Sequence, residues 1–160
     1  MKTKTVSFIT AILAVSSALA GSPFLNATTP AGWKVLGDKT QNCQISVPSD
    51  WVVSSFSPSA AESPDNKSGV RMAVTNLGHT LREFKANAEQ VQAPIKIFED
   101  SKRRLWFSYK ELGAPEGDRT TYYFVGIPVH GNVCAAQVSF ENRKLEPVAK
   151  QVAESLAAAK

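Results

Sequence analysis

Several stretches of this chain alternate between hydrophobic and polar residues with a period of two, which is typical of β-strands that bury one face. The alternation is clearest at residues 43–47, 70–75 and 133–140. Residues 119–129 are apolar on both faces, which predicts a central strand covered on both sides. The remaining predicted strands are residues 33–36, 51–53, 94–99 and 103–112.

Two segments change to a helical period. Thr80 and Glu83 have the spacing of a capping box, and they open a predicted helix that ends before Pro94. Its apolar face is formed by Leu81, Phe84, Ala88 and Val91. A second helix is predicted to begin at Asn142, because asparagine is a good N-cap. Its apolar stripe is formed by Leu145, Val148, Val152 and Leu156.

Between these segments the composition predicts loops. Residues 54–69 are rich in Ser, Pro, Ala and Asp and are predicted as a surface loop, and residues 21–32 as a flexible leader. The order of elements predicts an α+β fold, in which an antiparallel β-sheet of about six strands packs with two main helices. Residues 33–160 are expected to form this single domain.

The first twenty residues resemble a secretory signal peptide. Lys2 and Lys4 give a positive start, an apolar run follows at residues 6–15, and Ala18-Leu19-Ala20 supplies a cleavage pattern. The apolar run is too short to span a bilayer. The chain is therefore expected to be periplasmic or secreted after cleavage, without a membrane anchor.

The charge balance argues against polyanionic partners. The chain has 18 Lys and Arg residues against 14 Asp and Glu residues. Removal of Lys2 and Lys4 with the signal peptide leaves 16 cations against 14 anions. This small excess is no electrostatic footprint for nucleic acid or anionic lipid, so neither is an expected partner.

The chain contains two cysteines, Cys43 and Cys134. Both lie on the apolar face of their predicted strands, and an exported chain meets an oxidising compartment. We therefore predict a structural Cys43–Cys134 disulfide. The alternative is two separate buried thiols that act as small hydrophobic residues.

Residues capable of catalysis or metal binding are few. His79 and His130 fall in turns, and a zinc site built from His130, Cys134 and Cys43 lacks a further ligand with recognisable spacing. Glu99 and Asp100 lie next to basic residues, as at the tip of a solvated hairpin. Nucleophile-elbow and glycine-rich phosphate motifs are absent from the sequence. We assign no catalytic, metal or cofactor residues, and expect no cofactor.

One candidate binding patch comes from the strand at residues 103–112. Trp106 shares a face with Arg104, Ser108 and Lys110. If this face is open, an aromatic ring among basic groups suits a peptide, a glycan or a small anion. The alternative, which we favour, is that a helix or the 54–69 segment covers it.

The segment from Cys43 to Trp51 resembles the opening of the PsbP-like α/β/α sandwich domains. In both, a strand is followed by a proline, two further residues and a tryptophan, here Pro48 and Trp51. The later order of elements across residues 33–157 is also similar. This resemblance implies an accessory or binding role outside the cytoplasm, such as stabilising a larger assembly. The cysteine pair is a departure from the family's pattern.

These observations favour an exported, non-catalytic binding or accessory protein that acts on a protein partner or an envelope assembly. Two alternatives stay open. One is a small secreted or periplasmic hydrolase with dispersed acidic residues, and the other is a small-molecule carrier with a pocket between sheet and helix. The sequence identifies neither the partner or ligand nor the oligomeric state.

Overall fold

The computed structural model describes residues 29–37, 42–75, 80–91, 96–111 and 113–159. The predicted signal peptide, most of the predicted leader, His79 and the helix end at Pro94 lie outside these ranges.

The described part of the chain contains ten strands and two helices. In chain order they are β1 (Trp33–Leu36), β2 (Cys43–Pro48), β3 (Val52–Ser54), β4 (Ser57–Glu62), β5 (Ser68–Thr75), α1 (Leu81–Val91), β6 (Lys96–Asp100), β7 (Leu105–Tyr109), β8 (Thr121–Val129), β9 (Asn132–Phe140), α2 (Glu146–Glu154) and β10 (Ala157–Ala158).

Seven strands form one antiparallel sheet in the order β3-β4-β5-β9-β8-β7-β6. The β8–β9 hairpin is closed by His130 and Gly131, whose φ angles of 48° and 82° are those that a two-residue hairpin turn requires. Strand β8 lies between β9 and β7, with α2 against one face and α1 against the other. The predicted central strand is confirmed.

A second, three-stranded sheet has the order β1-β2-β10. It packs with α2 on one face of the large sheet, whereas α1 packs on the opposite face. The larger core cluster joins the small sheet, α2 and the large sheet, and its fully buried members include Ile45, Val47, Val125, Val138 and Val152. The molecule is an α+β sandwich built on antiparallel sheets, as the strand and helix periods predicted.

Helix α1 covers a smaller core on the other face. Leu81, Phe84 and Ala88 pack towards the aromatic side chains of β7 and β8, where the rings of Phe107 and Phe124 stack at 5.0 Å. The capping box is confirmed, because the backbone N–H of Thr80 donates to the Glu83 carboxylate at 2.6 Å. In return, the N–H of Glu83 donates to the Thr80 hydroxyl at 3.3 Å.

The two cysteines form the predicted disulfide. Cys43 begins β2 in the small sheet, and Cys134 lies on β9 near the middle of the large sheet, with 6.2 Å between their Cα atoms. Both side chains are fully buried. The bond ties the two sheets together across the core.

Two details of the prediction are wrong. Residues 54–69 are not one surface loop, since β4 pairs with β3 and β5 there and turns its small Ser59 and Ala61 side chains inwards. Helix α2 begins at Glu146, because the Asn142 side chain accepts from Lys144 N–H and forms a separate turn. The seven described strands of the large sheet agree with the expected sheet of about six, and the first two strands and β10 form a sheet of their own.

Candidate binding surfaces

The predicted patch of Arg104, Trp106 and Lys110 does not form an open surface. Helix α2 covers this face, so that Trp106 is 8% exposed and Arg104 is 2% exposed. Lys110 remains in solvent just after β7. The Trp106 face is therefore covered by a helix, which is the second of the two interpretations given above.

Arg104 instead links the β6–β7 turn to α2. Its guanidinium donates to the carbonyl oxygen of Ala153 at 2.7 Å and lies 5.4 Å from the centre of the Trp106 ring. A cation at the carbonyl end of a helix is favoured by the helix dipole. Burial lowers the pKa of Arg104, although the carboxylates of Glu99 and Glu154 act in the opposite direction. No period-two pattern signals this role, because Arg104 precedes β7 and its partner is a backbone group distant in sequence.

An aromatic cluster continues from Trp106 along the same face. The Trp106 ring lies 4.9 Å from Phe98 and 5.8 Å from Tyr123. The Tyr123 hydroxyl donates to the Glu146 carboxylate of α2 at 3.0 Å. Burial raises the pKa of Tyr123, and this hydrogen bond raises it further, so the phenol stays protonated. The cluster therefore has a structural role, which is to pack α2 against the sheet.

Among the residues that the structure describes, the two most exposed large apolar side chains belong to the β3–β4 hairpin. Phe56 at its turn is 98% exposed, and Val52 on the edge strand is 64% exposed. The backbone N–H of Phe56 donates to the Ser54 hydroxyl at 3.2 Å, which holds the turn. We call the exposed Phe56 turn, together with Val52 and Val53 on the two faces of β3, the hairpin-tip surface. A large apolar side chain as exposed as Phe56 is a candidate contact for a partner.

The opposite edge of the large sheet is β6. Ile97 and Phe98 are partly exposed there, and Phe98 is the unpaired residue of an irregularity between Ile97 and Glu99 in the pairing with β7. A bulge of this kind twists an edge strand away from regular pairing, which protects it from adding a further strand. This edge is therefore less suited to strand addition than a flat one.

The structure places the residues that the metal and hydrolase hypotheses invoke. Within the described ranges, no three or more His, Cys, Asp and Glu side chains come together as a metal site. The sulfur atoms of Cys43 and Cys134 are bonded to each other, and His130 is exposed in its turn. Of the neighbouring carboxylates, Asp100 pairs with Lys85, while Glu99 accepts from Ser101. Neither described helix is long and apolar enough to cross a membrane.

Comparison with known proteins gives a likeness of fold. No protein-family model matches the chain, and no curated protein sequence matches it significantly. Among solved structures, the solution structure of cyanobacterial PsbP (CyanoP) from Synechocystis sp. PCC 6803 matches with a TM-score of 0.53. The match covers 87% of this chain and 98% of that one at 12% sequence identity. The chain has the PsbP-like fold.

Pro48 and Trp51 form the short motif on which the predicted resemblance rests. In this PsbP-like fold, the two residues have clear structural roles. Pro48 ends β2, and its carbonyl oxygen accepts from the backbone N–H of Trp51 at 3.1 Å, which closes a four-residue turn. The Trp51 ring is buried in the larger core. Proline therefore stops the strand, and tryptophan anchors the following turn to the core.

Proposed function

We propose that this chain is an exported, non-catalytic accessory protein that binds a protein partner in the cell envelope through the hairpin-tip surface. The PsbP-like fold supports an accessory role, since the resemblance implies domains that act outside the cytoplasm on larger assemblies. The buried disulfide and the signal-like residues 1–20 support an oxidising compartment as its place of action.

The observation that carries the proposal is the exposure of Phe56. A phenylalanine left almost wholly in water gains roughly 1.5–3 kcal/mol when its side chain is buried. Aromatic side chains that fill a pocket on a partner are frequent hot spots of protein–protein interfaces. Val52 and Val53 on the same hairpin are also exposed, on opposite faces of β3 because neighbouring strand residues alternate.

The hairpin that presents Phe56 is well supported by the fold. Strand β3 pairs with β4, β4 pairs with β5, and Trp51 immediately before β3 is buried in the core. Because the backbone of this hairpin is already paired, the conformational entropy lost on binding is mainly that of the Phe56 side chain, which favours affinity. The partner surface expected from this geometry is an apolar pocket that accepts one aromatic ring.

The test is photo-crosslinking in the organism that produces the protein. A photoreactive phenylalanine analogue is placed at position 56, and in a matched control at position 144, where an exposed lysine lies after β9. We expect one defined envelope protein to be crosslinked from position 56 and not from position 144. Phe56→Ser should reduce co-purification of the same protein while leaving the thermal midpoint unchanged, because the ring is solvent-exposed.

The proposal fails if the wild-type protein is recovered as a lone monomer, or if Phe56→Ser retains the partner fully. Its export component fails separately, if the intact N terminus is found on protein located in the cytosol. N-terminal sequencing of envelope material is expected to begin at Gly21.

A further inference from the structure

A groove of about 680 Å³ lies at the end of the fold between the start of α1, the β6–β7 turn and the β8–β9 turn. Sites for small organic ligands have volumes of roughly 300–1,000 Å³. Leu81, Pro128 and Val133 give the groove an apolar side. Its size and lining are those of a site for a small molecule with an apolar body.

Three of the other lining residues are cationic, against one carboxylate. Arg82 and Lys85 on α1 and Lys102 in the β6–β7 turn line the groove. Asp100 is the one carboxylate among the described lining residues, and it already pairs with Lys85. Arg82 and Lys102 therefore have no opposing charge in the lining. This distribution complements an anion.

Hydrogen bonds fix the wall of the groove that carries Lys102. The Ser101 hydroxyl accepts from the backbone N–H groups of Arg103 and Arg104 at 3.2 and 3.0 Å, which fixes the β6–β7 turn next to Lys102. The N-terminal end of α1 contributes little as an anion receptor, because the Glu83 carboxylate and Thr80 hydroxyl cap it. The side chains of the groove, rather than the helix end, provide the positive charge.

We propose that this groove binds a small amphipathic carboxylate, with Arg82 and Lys102 facing the carboxylate and the apolar side contacting the hydrocarbon. An inorganic anion would leave the apolar side unused, whereas a neutral hydrocarbon would leave the two cations unused. The site is independent of the hairpin-tip surface, because β3 and β6 are opposite edges of a seven-stranded sheet. At a spacing of about 4.8 Å per strand, the two edges are roughly 29 Å apart.

The test uses the purified protein and monomeric decanoate, with binding followed by calorimetry and by amide NMR shifts. We expect the shifts to centre on the start of α1 and the two turns. Hexanoate and acetate should bind progressively more weakly, because each methylene that the apolar side buries contributes up to about fourfold in affinity. Decanol and inorganic phosphate should both bind much more weakly than decanoate.

Two charge variants test the cationic residues without disturbing the core. Arg82→Gln and Lys102→Gln should each weaken decanoate binding by about fivefold, as expected for solvent-exposed ion pairs. Lys144→Gln is the matched control, since this exposed lysine follows β9 at the end opposite the groove, and it should leave the affinity unchanged. Thermal midpoints of all three variants should equal that of the wild type.

Each of the following outcomes overturns the proposal. They are decanoate binding that Arg82→Gln and Lys102→Gln leave unchanged, equal affinity for decanol and decanoate, and amide shifts that lie outside the groove. Binding of a peptide with an apolar carboxyl-terminal residue, in the absence of any binding of decanoate, also overturns it and assigns the groove to a protein partner.

Discussion

Gly37, between β1 and β2, cannot be replaced by a larger residue without strain. Its backbone conformation disfavours any side chain, and there is no space for a Cβ atom. Its φ is +91°, and a Cβ atom would lie 2.4 Å from the carbonyl oxygen of Cys43 and 2.6 Å from the Met72 methyl group. The carbonyl belongs to the backbone of β2 and cannot turn aside. We expect Gly37→Ala to lower the free energy of unfolding by about 3 kcal/mol, measured by urea denaturation.

Gly32 provides a matched control for this prediction. It also has a positive φ, +77°, but nothing lies within 4 Å of where its Cβ would be. Gly32→Ala is therefore expected to cost only the conformational strain, about 1–2 kcal/mol. Equal losses in the two variants would show that the contact with Cys43 and Met72 contributes nothing.

For single residues, the sequence predicts burial correctly where it follows from the alternation along a strand. It fails where a residue is buried by a contact with a partner distant in the sequence. Cys43, Ile45 and Val47 are fully buried, as their alternation predicts. Arg104 was assigned to a candidate patch, yet it is buried because it reaches the carbonyl oxygen of Ala153, 49 residues further along the chain. A local pattern of polarity contains no information about such a contact.

At the scale of elements, the β4–β5 hairpin is organised by a single carboxylate. Asp65 accepts from the Ser63 hydroxyl at 2.7 Å and from the backbone N–H of Lys67 at 3.2 Å. The hydrogen bond from Ser63, followed by that from Lys67, lowers the pKa of Asp65 below its ordinary value of 3.8. The folded state therefore favours the ionised carboxylate more than the unfolded state does.

The consequence is a pH-dependent stability with a defined sign. Because its folded-state pKa is lowered, Asp65 stabilises the fold above its ordinary pKa of 3.8, and this contribution is lost as the pH falls through the folded-state value. We expect Asp65→Asn to lower the thermal midpoint at pH 5.5 and to differ much less from the wild type at pH 2.5. A difference that stays constant between these two pH values would contradict the assignment.

Some helices and strands are easier to predict from their sequences than others. Helix α1 is predicted accurately at its start, because its capping box and its apolar face lie within a dozen consecutive residues. Strand β4 is missed, because its sequence of Ser, Pro, Ala and Glu is that of a loop. Cross-strand pairing with β3 and β5 makes it a strand, and its small side chains suit the limited space above the core.

For the whole molecule, the α+β class and the disulfide follow from patterns along the chain, whereas the candidate sites do not. The two cysteines allow only one intramolecular disulfide. Because both lie on the apolar faces of their predicted strands, the sequence already favours this bond. The groove takes its lining from three separate segments, residues 80–85, 100–102 and 128–133. Each of these segments reads as an ordinary helix start or turn, and only the tertiary fold brings their cations and apolar groups together.

The disulfide gives the last prediction, because it joins the small sheet to the middle of the large one. Cys43 and Cys134 are 91 positions apart. A bond that closes a loop of this length lowers the entropy of the unfolded chain, and in the chain-entropy model this raises the free energy of the unfolded state by about 4.5 kcal/mol. Since folded domains are stable by only about 5–15 kcal/mol, this is a large share of the total. We expect the Cys43→Ala/Cys134→Ala double variant to unfold at a much lower guanidinium concentration than the oxidised wild type.

Reduction of the wild type separates the bond from the packing of its sulfur atoms. The reduced protein keeps both side chains in the core, so its unfolding midpoint should lie slightly above that of the double variant and well below that of the oxidised form. Adding reductant to the double variant should change nothing. A wild type whose midpoint is the same with and without complete reduction, verified by thiol titration, would mean that core packing alone holds the two sheets together.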